Sequence, residues 1–390
     1  MSARAFVLST MLAAWAAPLH AQSLFNAAGI GLPVEATDGR ARALGSIGIG
    51  LPGASLLPTD PAASVRLMIP GALLVVQPTW VDLTRTGAGG HRYFRGSRFP
   101  LFAAGYPVFG GMATLHATTV LDQGYRGERP ITVDLAGTPV PATDVFTQNG
   151  SVASLSIGYA RMVTPTTSVG ITTGRYTGSV ATTLVREFSD SASANQVLPY
   201  SSSGSWTYSG YHVSVGVSSD VAGLVRVAAS ATVSTDLDAT AASQTTGADR
   251  AFQMPLQLRI GASSELAQGL TLSASAARAN WSGITADLSA GTQAGPATSL
   301  GVGLELSQVR LFGRTSPLRV GFRRTGLPYS LEGDGAHEQA FAGGLSLALN
   351  ETNEIVLAGV DFALEKGNRT GGTYREDFWR GTVSLRVSGF

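Results

Sequence analysis

The feature that most constrains this chain is a two-residue alternation of apolar and polar side chains, repeated along most of its length. No apolar run after the N-terminus approaches the ~18–20 residues a membrane helix needs. Tyr211, Val213, Val215 and Val217 alternate with His212, Ser214, Gly216 and Ser218. Leu300, Val302, Leu304 and Leu306 alternate with Gly301, Gly303, Glu305 and Ser307. Val225–Val233, Leu256–Ile260, Leu318–Phe322, Phe341–Leu349, Val356–Phe362 and Trp379–Val387 continue the pattern. Period two places alternate side chains on opposite faces of a strand. One face is therefore apolar, and the other is small, polar or arginine.

Two folds satisfy that pattern. In a soluble sandwich the apolar face is the core; in an outer-membrane barrel it meets lipid and the polar face lines the lumen. Composition fits a membrane β-barrel or an unusual soluble β protein. Charged residues make up 14% of the 390, against ~25% in an average soluble protein. Mean hydropathy is nonetheless positive, so the chain is apolar on average and nowhere continuously so. About fourteen strands are expected, beginning near residues 72, 98, 110, 150, 167, 204, 223, 252, 268, 299, 316, 338, 354 and 377. Many are near the ~9–11 residues that cross an outer membrane when tilted. Short turns near 107–110, 220–223, 267–269 and 350–353 alternate with long polar links at 124–149, 189–204, 238–251, 283–298, 327–337 and 366–376. Short periplasmic turns alternating with long outer loops are a barrel pattern. The expected fold class is an all-β transmembrane antiparallel barrel of about 14 strands.

The N-terminus reads as an export signal over residues 1–21. Arg4 precedes an apolar stretch, Ala5–Ala17, and Leu19-His20-Ala21 offers a cleavage site before Gln22. Residues 22–70 lack clean alternation yet carry Leu44, Ile47, Ile49, Leu51, Leu56 and Leu57, too apolar for a solvated linker. They are expected to form a hatch inside a barrel over residues 71–390, because a lumen of about fourteen strands is wide enough to hold them.

Catalytic motifs are missing from the sequence. The mature histidines, His91, His116, His212 and His337, are isolated in sequence, and Glu305, Asp361, Glu365 and Glu376 are too scattered to suggest a carboxylate pair. With no cysteine, thiol nucleophiles and zinc–thiolate sites are excluded. A net charge of +1 argues against nucleic acid. No enzyme activity, metal or cofactor is expected. The inward arginines Arg226, Arg259, Arg319, Arg323 and Arg386 have two readings. They bond Glu305, other lumen acids or hatch carbonyls, or one or two of them grip the carboxylate of an amphipathic ligand. His91-Arg92-Tyr93-Phe94-Arg95 reads as an interface hairpin or a contact for lipopolysaccharide.

Ala41–Gly45, the Gly-alternating Ser46–Gly50 and the tripeptide Asp60-Pro61-Ala62 together resemble the N-terminal hatch of the FadL-like long-chain fatty-acid transporter family and its PorV-like relatives. Leu327-Pro328-Tyr329, Gly343-Gly344-Leu345, Val360–Arg369 and Glu376–Arg380 are similar to its C-terminal third, and Phe390 stands last, as an aromatic often does in outer-membrane proteins. The chain departs from the family in having Asp60 where Asn is usual, Ala63-Ser64 for a Gly-Leu-like continuation, and Phe390 out of phase with Trp379 and Val383. The resemblance implies a fourteen-stranded barrel, a hatch, and passive passage of hydrophobic or amphipathic compounds across the outer membrane. Its implied partners are outer-membrane lipids, hydrophobic small molecules and the barrel-assembly machinery. The PorV-like relatives imply an alternative, a docking or shuttle role in protein secretion. Leu44, Gly45, Ile47, Ile49, Asp60 and Pro61 are the hatch or ligand candidates; Arg226, Arg259, Glu305, Arg319, Arg323 and Arg386 are the lumen candidates.

Overall fold

The computed structural model describes residues 23–135, 137–188, 200–245, 247–288, 292–311, 313–352 and 355–389. The export signal and Phe390 lie outside them. Fourteen strands make the wall: β1 (Gly71–Arg85), β2 (Ala88–Val108), β3 (Gly111–Asp122), β4 (Thr138–Met162), β5 (Thr167–Phe188), β6 (Tyr200–Val221), β7 (Val225–Ser234), β8 (Gln257–Ala267), β9 (Leu270–Asn280), β10 (Pro296–Leu306), β11 (Leu318–Leu331), β12 (Asp334–Thr352), β13 (Ile355–Gly371) and β14 (Tyr374–Ser388). Each pairs antiparallel with its neighbour. β14 returns to β1 in a ladder from Gly71↔Ser388 to Arg85↔Tyr374. Closure leaves no wall strand with a free edge.

The expected strand starts fall close to those observed for most strands. The long links differ from expectation. Residues 125–135 pair with the first half of β4. The 327–337 and 366–376 links are mostly strand, with turns at Glu332-Gly333 and at 372–373. These hairpins raise a tall wall at one end, the loop end. At the other, the turn end, connections such as Phe109-Gly110 and Ala222–Leu224 are tight, and Phe109, Gly110, Ala222 and Gly223 take the left-handed φ they require.

Outside, the wall is apolar. Val213, Val215, Val217, Leu258, Ile260, Leu300, Val302, Val320, Phe341, Phe362, Leu364 and Trp379 are all exposed. From Trp379 to Val387 the outward belt spans eight residues, ~26 Å of strand and ~20 Å of height at a ~40° tilt. One row beyond Trp80, Trp379 and Phe341, the outward partners become Asp82, Asp377, Asn368 and Gln339.

Inside, the wall is small or charged and meets residues 23–67. Inward glycines let this segment's backbone lie against the strands. A Cβ on Gly303 would stand 2.5 Å from the Leu44 carbonyl oxygen, and one on Gly216 would stand 2.9 Å from Pro61 Cδ. Gly301, Gly321 and Gly261 abut Gly45, Leu44 and Ile49 in the same way. A real side chain at these positions would displace the segment.

Candidate functional site

Asp38 starts the short helix α1 (Gly39–Ala43), its carboxylate accepting from the Ala41 amide. Three anchors hold α1 to the wall. The Gly39 amide donates to Ser384 Oγ at 2.6 Å. Arg40 makes a two-pronged contact to Glu305, at 2.9 and 3.0 Å. Arg42, 1% exposed, reaches Glu365 at 3.7 Å and Glu35 at 3.5 Å. Leu44, Ile47, Leu51, Leu56 and Leu57 then pack with Leu73, Val75, Leu101 and Ala103 from the wall, an apolar stopper toward the turn end. Ile49 is buried beside Gly261.

Beyond Ile49 the chain folds back on itself. Asp60 Oδ2 accepts from the Gly50 amide at 3.0 Å, and Pro61 rests against Gly170 and Gly216. Asp60 is 3% exposed and its Oδ1 has no partner among the described residues. Burial outweighs that hydrogen bond and the nearby Arg66 and Arg226, so its carboxyl titrates above the usual aspartate range. Arg226 grips Asp220 through both arms and also donates to the Leu51 and Gly53 carbonyls at 3.1 Å.

The scattered carboxylates are brought together by strand register. Glu305, Glu338, Asp361, Glu365 and Glu376 all face inward, each against arginine. Arg319 pairs with Glu305 and, at 3.5 Å, with Asp361. Arg323 pairs with Glu338 and, at 2.8 Å, with Glu365. Arg369 and Arg380 close the network around Glu338, Glu365 and Glu376. Glu376 also accepts from Ser23 and from the Leu24 amide, tying down the start of the segment. Arg386 is half-buried, 4.0 Å from Asp361.

Toward the loop end a second apolar cluster joins Ile30 to Leu121, Val152, Tyr176, Tyr208, Phe252, Trp281 and Tyr329. Between the two clusters lies a cavity of ≈ 240 Å³. Its wall includes Ile49, Leu121, Tyr176 and Trp281, with Ser154, Ser214 and Thr232 as polar points and Arg98 and the Arg323–Glu338 end of the ion-pair network on one side. One contact here was hidden in the sequence. His212 is not isolated: its Nε2 lies 2.7 Å from Ser154 Oγ, its ring stacks on Tyr176, and its buried Nδ1 has no partner among the described residues. Of the inward arginines singled out in the sequence, Arg259 alone has no carboxylate in ion-pair contact among the described residues. It donates to Gln257 Oε1 at 2.7 Å and faces the cavity. Glu35, on the same cavity, is held by Arg42 and Ser299.

The wall beside the cavity is irregular. The β3–β4 register slips between Thr119 and Leu121. Val120 there turns its carbonyl to the Val34 amide at 2.9 Å, while Leu32 and Pro33 pair with Asp122 and Leu121. The N-terminal segment is thus stitched to the wall at the bulge.

The same fold recurs in solved structures. The chain is similar to a FadL homologue of Pseudomonas aeruginosa, with a TM-score of 0.59 at 12% identity over 92% of this chain and all of that one. It is similar to the Pseudomonas putida toluene transporter TodX, with a TM-score of 0.57 at 12% identity over 92% and 99%. The monoaromatic hydrocarbon channel CymD also gives 0.57, at 15% identity over 93% and 98%. The fold is that of the FadL-like channels. No family model and no curated protein sequence matches the chain.

Proposed function

We propose that this protein is a passive outer-membrane channel for small hydrophobic compounds, gated by the hatch formed by residues 22–70, and that its preferred ligands carry an acidic group. The belt of exposed valine, leucine and phenylalanine supports the membrane setting, since its height is close to the ~25 Å of an outer-membrane barrel. The similar solved structures include channels described for toluene and monoaromatic hydrocarbons.

The observation that carries the ligand class is Arg259 in its cavity. Arg259 has no carboxylate in ion-pair contact among the described residues, and Glu35, its more distant counter-charge, is already held by Arg42, so the buried guanidinium favours an added anion. An apolar cavity of ~150 Å³ holds benzene; ≈ 240 Å³ takes a substituted ring or a short chain, not a long acyl chain. The ligand enters from the loop end, seats its acid on Arg259 and its ring against Tyr176 and Trp281. It leaves when the hatch loosens at the Val120 bulge. The test is uptake into proteoliposomes of matched acidic and neutral one-ring compounds. The wild type favours the acid. Arg259→Gln lowers uptake of the acid by roughly tenfold, the value of one charge-assisted contact, and leaves the neutral compound unchanged. Equal loss of both, or of neither, contradicts the assignment.

A further inference from the structure

The membrane-facing surface carries a site that transport does not use. On the outer wall of β12, β13 and β14, Gly343 and Gly381 flank Leu364 in one cross-strand row. At Gly343 the missing side chain leaves open space, while at Gly381 the Pro78 ring borders it. A Cβ on Gly343 would find nothing closer than 3.8 Å, and one on Gly381 nothing closer than 3.2 Å. The notch widens into a groove of ≈ 390 Å³ lined by Trp80, Leu345, Phe362, Leu364 and Val383. It is almost wholly apolar.

One row toward the loop end, ~6–7 Å along the strand, stands Lys366, the only lysine of the chain. Its ammonium lies 5.2 Å from the Trp379 ring. It is exposed and has no ion pair among the described residues. The nearest outward carboxylates are already engaged: Asp377 by Arg375 at 2.8 Å and Asp82 by His91 at 3.0 Å. Arg95, paired across from Trp80, and Arg324, two strands from Lys366, are exposed and without ion pairs as well. An apolar trough running toward mid-membrane, roofed by two tryptophans and one free cation at the level where acyl chains meet headgroups, has the layout of a lipid site.

We propose that this groove binds one anionic lipid of the outer leaflet, a phosphorylated saccharolipid, with an acyl chain over Gly343 and Gly381 and a phosphate on Lys366. The leaflet follows from the groove's place in the loop-end half of the belt. The assignment rests on the outer-membrane reading above but not on the transport one.

The experiment is native mass spectrometry of the full chain extracted from outer membranes in mild detergent. Lys366→Gln removes the charge, Lys366→Arg keeps it, and Gly343→Leu fills the trough from its open side. Wild type and Lys366→Arg retain the saccharolipid, and Lys366→Gln and Gly343→Leu each lose it by at least roughly tenfold. Heat-modifiable gel mobility confirms that each variant is folded. Equal retention in all four proteins overturns the proposal, as does a wild type carrying only zwitterionic phospholipid or detergent. Uptake by Lys366→Gln in the same membranes stays at the wild-type level, so loss of the lipid and loss of transport read out separately.

Discussion

Gly303→Leu puts a side chain where the N-terminal segment meets the wall. Its Cβ would stand 2.5 Å from the Leu44 carbonyl oxygen and 2.7 Å from the Leu44 Cα. Ordinary contact begins near ~3.4 Å, so the backbone must retreat by ~1 Å for the Cβ alone, with three further carbons to place. The obstacle is main chain, not the end of a flexible side chain. Two responses compete. Overpacking in place costs ~1–3 kcal/mol for an added methylene or so, and more for an isobutyl group against backbone. Lifting Leu44 and Ile47 from their cluster forfeits ~1.5–3 kcal/mol each, roughly 3–6 kcal/mol together. The two are of the same order, so the variant populates a displaced segment, while the wall ladder from β9 through β10 to β11 is untouched. In planar bilayers the expected result is a raised conductance. Arg42, buried in the wild type, becomes open to trypsin. Gly343→Leu, whose Cβ points outward into open space, serves as the control and keeps wild-type conductance. A folded Gly303→Leu barrel with wild-type conductance and trypsin resistance would refute the idea that the segment stoppers the lumen.

Other outcomes follow from the same contacts. Glu365→Gln removes the one carboxylate that Arg42, Arg323 and Arg380 have in common, leaving three buried guanidinium groups to Glu338 and Glu35, and should cost ~3–5 kcal/mol, read as a lower urea midpoint for loss of heat-modifiable mobility. Asp60→Asn should change how the segment responds to pH. Because burial raises the Asp60 carboxyl, its contribution to seating is full below the unfolded aspartate value, ~3.9, and is lost as pH rises through the raised value. Trypsin protection of the wild type should therefore fall relative to Asp60→Asn over that upward range, and parallel curves would remove Asp60 from the account. Val34→Pro deletes the amide that bonds Val120, and should raise cleavage within the segment without unfolding the barrel.

Much of the wall was legible because its two faces meet different surroundings. Where the outside is apolar, Val213 to Val217 or Leu300 to Leu306 must alternate with Ser214 or Glu305, and the period is visible. Beyond the belt both faces are polar, so the period vanishes although the ladder continues. Residues 138–149 and 327–337 therefore look like loops and are strands. The segment's burial was visible in Leu44, Ile47 and Ile49, which needed an apolar partner. The carboxylate–arginine network was not legible. Glu305, Glu338, Asp361 and Glu365 meet only through the registers of separate hairpins, which no spacing in the chain encodes. The same holds for Ser154 and His212, 58 residues apart. Asp60 was visible as a departure from the family's asparagine, but its unpartnered oxygen was not.

The central claim is that the valine and leucine face meets acyl chains while the arginine-bearing face encloses a filled interior. The chain has no cysteine, so single labels are clean. Val215→Cys and Ser214→Cys, adjacent on β6 and on opposite faces, can each carry a small fluorophore in bilayers containing a lipid-borne quencher. The label at 215 should be quenched strongly and the one at 214 hardly at all. Equal quenching, or the reverse order, would contradict the account.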